Sequence, residues 1–176
     1  MAMVFEELKV LQAAEQIADG VWNEVSRWDD FSKEVVGKQI ARAADSIGAN
    51  IAEAYGRFHY GERLQFFYYA RGSLFETKYW LNRIHARDLM PQVKFQTFIE
   101  QISGLAHQIN TVVMNTKNQR RGRITGGEPS RVRESQAEYL AYGVDHSFPF
   151  FDQEDLEWLQ SPHPYTLPPN YQLPNY

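Results

Sequence analysis

Residues Gln39 to Arg57 read Gln-Ile-Ala-Arg-Ala-Ala-Asp-Ser-Ile-Gly-Ala-Asn-Ile-Ala-Glu-Ala-Tyr-Gly-Arg, and this run decides the fold. Val36, Ile40, Ala43, Ile47, Ile51 and Ala54 recur at steps of three and four, the spacing of a helix that turns one face into a packed core. Gln39, Ser46, Asn50, Glu53 and Arg57 form a second stripe, roughly 95° round from the apolar centre at about 100° per residue. With Arg42, and with Glu76 further along, they make a polar seam that borders the core instead of opposing it. Amides, carboxylates and guanidinium groups at a packing boundary need partners, so the seam pairs inside a bundle or faces a second subunit.

Three more helical patterns surround this one. The first is expected from about Phe5 to Trp28, with Leu8, Leu11, Ile17, Val21 and Val25 on its stripe. Asp29 and Asp30 interrupt it, Ser32 is the expected N-cap of the second helix, and Phe31 with Val36 is placed to form a hydrophobic staple. A third helix is expected from about Glu62 to Asp88, and a fourth from Val93 to Asn118, where Phe95, Phe98, Ile102, Leu105, Ile109 and Val112 step by three and four. Four such helices of roughly 37 Å each, joined by short connections, predict an all-α, antiparallel up-down four-helix bundle. Glycines at 20, 48, 72 and 104 fall inside the helical patterns, either as tolerated imperfections or as points of close helix contact.

The expected organisation is a bundle over 1–123, a Gly/Pro/Ser linker over 124–130, and an extended acidic, proline- and aromatic-rich region over 131–176. Residues 1–123 hold sixteen Lys/Arg and fourteen Asp/Glu, whereas 124–176 hold two and eight. Six of the eight prolines lie at or beyond Pro149, so neither regular helix nor central strand is expected there. Phe148, Phe150, Phe151, Leu156, Trp158 and Tyr165 are costly to leave in water, so this region is read as a strap on its own bundle, a latch on a neighbouring subunit, or a ligand for another protein.

Composition excludes several chemistries. The chain has no cysteine, hence no disulfide, thiolate metal site or thiol nucleophile. No Glu-x-x-His occurs, so a carboxylate-bridged di-iron centre lacks its ligands. Ser46 and Ser73 have no base readable from spacing, and Gly126-Gly127 lacks the Lys-Ser or Lys-Thr of a phosphate loop. The expectation is a protein with no catalytic residues, no metal and no cofactor. The opening Met-Ala-Met-Val-Phe-Glu-Glu-Leu-Lys carries acids where a secretory signal needs positive charge, and no apolar run approaches the ~18 residues of a membrane span. A cytoplasmic chain with no membrane partner is therefore expected.

Basic residues supply a second functional reading. Lys117, Arg120, Arg121 and Arg123 cluster at the end of the fourth helix, where they complement the helix dipole or contact a phosphate backbone, with Arg57, Arg63, Arg71, Lys78, Arg83 and Arg87 as further candidates.

Three motifs together resemble one family. They are Phe5-Glu-Glu-Leu-Lys-Val, then Gln39-x-x-Arg42-Ala43-Ala44-x-Ser46-Ile47-x-x-Asn50-Ile51-Ala52-Glu53, then Phe66-x-x-x-Ala70-Arg71-Gly72-Ser73-x-x-Glu76. In these the chain is similar, over about residues 5–118, to the four-helix bundle proteins encoded in bacterial 23S rRNA intervening sequences, the S23-like proteins. Ala54 stands where that family usually has Gly, and Val36-Gly37-Lys38 where it usually has Tyr-Gly-Leu. The resemblance implies an up-down bundle that assembles as a homopentamer without established enzymatic activity. The fold is also similar to that of the accessory variability determinant of diversity-generating retroelements, a basic pentamer that binds a reverse transcriptase and RNA. This body is only mildly basic, and its acidic extension lies outside the family core. A homo-oligomeric scaffold or adaptor whose tail engages a neighbour or a protein partner is the first expectation, and an RNA-binding accessory protein the alternative.

Overall fold

The computed structural model describes residues 5–125 and 150–162, with side chains from 9 to 118 and from 150 to 162. Among the described residues the chain is all-α. The helices are α1 (Phe5–Val25), α2 (Asp30–Ser32), α3 (Lys38–Gly56), α4 (Tyr60–His85), α5 (Gln92–Thr125) and α6 (Gln153–Gln160), with a π-helical segment, Lys33–Gly37, joining α2 to α3. None of these helices is long and apolar enough to cross a membrane.

The four long helices close a ring around one core. α1 packs on α3, α3 on α4, α4 on α5, and α5 returns to α1. Opposed order is visible in individual contacts, since Gly37 abuts Val25 while Gly48, further along α3, faces Ala14 of α1. Val10, Ala14, Ile17 and Val21 of α1 meet Ile40, Ala44, Ile47 and Ile51 of α3, Leu64, Phe67, Leu74 and Leu81 of α4, and Phe95, Ile102, Ile109 and Val113 of α5 in a single cluster. The three-and-four spacing that defined each stripe in the sequence is what turns these residues inward.

The start of the second helical region differs from expectation. Asp29, not Ser32, is the N-cap, and its carboxylate accepts the Ser32 backbone N–H at 3.0 Å. Hydrogen bonding from Ser32 holds the Asp29 carboxyl below its ordinary pKa. Aspartate caps at least as well as serine, and starting three residues earlier puts Phe31 within the first turn, where it is 77% exposed and forms no staple with the buried Val36. Helix ends shift similarly elsewhere. α1 stops at Val25, and α4 ends at His85, followed by Asp88 in the left-handed region at φ 56° with the Leu89 N–H donating to the Ile84 carbonyl at 3.1 Å. That is the Schellman arrangement, and aspartate tolerates the conformation better than most residues. α5 runs on to Thr125, past the helix end expected near Asn118.

Gly37 is where the ring is tightest. A Cβ there would lie 2.6 Å from Val25 Cγ1, so only glycine lets the end of α1 approach the π-helical segment. Gly20 is the other close contact, its missing Cβ being 3.0 Å from the Phe98 ring. Gly37→Ala is expected to destabilise the fold by about 1–3 kcal/mol through overpacking, measured as a lower urea midpoint at unchanged slope.

Candidate interaction site

The described part of the C-terminal region folds back onto the bundle as a strap. α6 begins with a capping box: the Asp152 carboxylate accepts the Asp155 N–H at 2.8 Å, and Asp155 accepts the Asp152 N–H at 3.2 Å. This local pattern makes a helix of Gln153–Gln160 inside the region expected to be extended. The residue pair before it is pinned by Asn110 of α5, whose amide accepts from the Phe151 N–H at 2.9 Å and donates to the Phe151 carbonyl at 3.2 Å.

Side chains from α4 complete the seat. Phe75 stacks on Trp158 at 5.2 Å and on Phe151 at 6.0 Å, both at 15° between planes, and Tyr68 packs on Phe150 at 4.7 Å. Arg71 pairs with the buried Asp155 at 2.5 Å while its guanidinium lies 4.7 Å above the Phe75 ring, so one cation reads both charge and aromatic face. Lys78 is fully buried. Its ammonium donates to the Ser161 carbonyl at 2.5 Å and sits 5.5 Å from the Phe95 ring and 5.9 Å from that of Trp158. His85 stacks on Phe95 at 4.3 Å.

Phe150, Phe151, Trp158 and, partly, Leu156 are therefore engaged with the chain's own helices. They are unavailable to a partner while the strap is seated. Phe148 and Tyr165 lie outside the described residues. Asn110 was missed from sequence, although a lone amide between Ile109 and the apolar positions Ala106 and Val113 marks a polar intrusion on a buried face. Lys78 stood among the basic candidates as a phosphate contact, and burial corrects that reading. Its place between Leu74 and Leu81 on the core stripe of α4 was the available signal.

The remaining basic candidates are dispersed. Arg57 pairs with Glu53 and lies 4.5 Å from the Phe66 ring centre, and Arg63 is buried beside Tyr55 at 5.5 Å. Lys117 is half-buried and has an interaction within the chain. Arg120, Arg121 and Arg123 lie on α5, with side chains outside the described ones.

The polar seam joins α3 to α4 through one hydrogen bond. Asn50 donates to the Ser73 hydroxyl at 3.3 Å, and Ser73 donates to the Tyr69 carbonyl at 3.1 Å. Glu76 accepts from Trp80 Nε1 at 3.4 Å, while Gln39 and Ser46 are half-buried and Arg42 is exposed. Glu53 and Glu76 each have a partner four residues on, and no cluster of His, Asp or Glu suited to a metal occurs among the described residues. Beside the seam, α4 exposes Tyr69 and Tyr79, and Gly72 between them has nothing within 4 Å of the Cβ it lacks.

Burial lowers the Lys78 pKa from 10.5 to about 8. Between those values the unfolded chain binds the proton more tightly than the folded one, so stability is expected to rise as pH increases through that window and to be flat for this group below it. Urea midpoints measured from pH 7 to 9.5 should climb in the native chain relative to Lys78→Met, where this component is absent.

The groove and seam lie on a helical framework with a known counterpart. No curated protein matches the chain. The family described as 23S rRNA-intervening sequence protein matches residues 6–111, which contain α3, α4, the polar seam and every bundle residue named in the strap's seat, but not the strap. The chain belongs to the 23S rRNA-intervening sequence protein family.

Proposed function

We propose that this chain is a non-enzymatic, homo-oligomeric scaffold that associates through the outer faces of α3 and α4, with five copies as the family resemblance implies, and engages protein through its C-terminal region when the strap is unseated. The observation that carries this reading is Gly72. A glycine inside a helix costs ~1 kcal/mol relative to alanine, and no contact within 4 Å among the described residues offsets that cost. Approach of another chain would. Tyr69 at 51% exposure and Tyr79 at 48% flank it on the same side of α4, and tyrosines around a flat backbone patch suit a protein interface better than a solvated surface. Asn50, half-buried and hydrogen-bonded to Ser73 next to Gly72, gives that patch a polar edge.

The alternative, an RNA-binding accessory role, draws on the family's association with 23S rRNA intervening sequences and on Lys117, Arg120 and Arg121, which fall at helical spacing on α5. Of the ten basic residues read as phosphate contacts in the sequence, Arg57, Arg63, Arg71 and Lys78 are engaged inside the chain. This makes it the second reading.

Gly72→Gln should separate these ideas. Glutamine is a better helix former by about 0.5–1 kcal/mol, so the single chain should gain thermal stability while self-association weakens by about tenfold or more in sedimentation velocity. A native chain that sediments as a monomer at tens of micromolar, or an unaltered assembly in Gly72→Gln, would remove this face from consideration. For RNA, the slope of log affinity against log salt should flatten in Arg120→Ala/Arg121→Ala/Arg123→Ala.

A further inference from the structure

The strap's seat has more hydrogen-bond donors than the strap satisfies. Lys78 carries three N–H donors in full burial, and among the described residues its one polar partner is the Ser161 carbonyl, an uncharged acceptor. Arg71 Nε is buried with no hydrogen-bond partner among the described residues, although the other end of that guanidinium holds Asp155. A buried ammonium facing only a carbonyl and two rings is incompletely compensated, and its lowered pKa reflects that. The seat therefore carries positive charge, two aromatic faces and an unfilled demand for anionic acceptors.

The position of the deficit is specific. The atom on Lys78 is a main-chain oxygen, immediately after α6 ends at Gln160. A peptide chain that stopped at the residue equivalent to Ser161 would present there a carboxylate in place of the amide carbonyl. The recognised features upstream of it would be the same: an aromatic pair before the helix, an Asp-x-x-Asp capping box read by Arg71, and a tryptophan one turn later against Phe75. Bundle and strap are also separable in the chain. Every bundle residue of the seat lies within 6–111, whereas the strap lies beyond that stretch, at 150–161.

We propose that the α4–α5 groove is a receptor for the C-terminus of another protein, an aromatic helix with an acidic cap that sets its terminal carboxylate on Lys78 and displaces the strap. The strap is then the groove's resident competitor. Tethering gives it a high effective concentration, so it excludes weak ligands, and a displacing C-terminus prevails through the charge-assisted bond that the Ser161 carbonyl does not supply. This inference does not depend on how many copies assemble.

The probe is a fluorescent peptide of residues 149–161, made with either a free terminal carboxylate or an amide, titrated by anisotropy into the full-length chain. In the strap-disabled variants Phe151→Ala/Trp158→Ala and Asp155→Lys, the acid form should bind about tenfold or more tighter than the amide, and Lys78→Met in either background should abolish that preference. The native chain should bind the acid form about tenfold or more weaker than the disabled chains, because its own strap competes. Equal affinity for acid and amide would overturn the proposal, as would absence of binding to both disabled variants when their helical circular dichroism matches the native chain.

Discussion

The structure depends on α4 being used on all sides. Its core stripe, Leu64, Phe67, Ala70, Leu74, Leu81 and Ile84, closes the ring with α3 and α5. A quarter-turn away Tyr68, Arg71, Phe75 and Lys78 seat the strap. On the solvent side Tyr69, Gly72 and Tyr79 remain uncovered. A helix buried on one side alone would carry a single apolar stripe, whereas this one mixes aromatic, cationic and apolar residues around its circumference because each sector meets a different surface. Fixing α4 in the ring fixes the other two sectors relative to each other, so packing in the core sets the geometry of the interaction surfaces.

How much of this was legible follows from the range of the signals. α3 and α5 could be read because burial on one face imposes a period on neighbouring residues, as with Ile40, Ile47 and Ile51 or Phe95, Ile102 and Ile109. Caps were less legible, since Asp29 and Ser32 both satisfy the local rule and the choice between them rests on where α1 ends against Gly37. The strap's register was not legible at all. Its decisive contacts join Arg71 to Asp155 and Lys78 to Ser161, pairs more than eighty positions apart, and no local pattern encodes such a pairing. What the sequence did carry was the sum of those contacts, a mildly basic body and an acidic aromatic extension.

The same long-range pairs explain why a lysine and an arginine that resemble phosphate contacts in sequence are not surface charges. Arg71 and Lys78 have the spacing of neighbours on one helix face, and the face they share is covered. Guanidinium over Phe75 and ammonium near Trp158 keep their aliphatic stems in apolar contact while the charged heads meet strap oxygens. Net charge alone would have assigned both to solvent or to nucleic acid.

Asp155 links the strap's own folding to its docking. An isolated helix of eight residues is marginal in water because nucleation fixes several backbone dihedrals before the hydrogen bonds compensate. Asp155 supplies one half of the capping box and the carboxylate for Arg71, so the group that closes the first turn is also the group that the bundle recognises. Trp158 and Leu159, one turn on, are buried only when that turn exists. Helix formation and docking therefore reinforce each other, and partial seating gains little: without the turn the tryptophan misses Phe75, and without Arg71 the turn loses the charge that holds it against α4. A latch built this way favours full seating or release over gradual fraying, which is the behaviour a competing helix in the same groove would exploit.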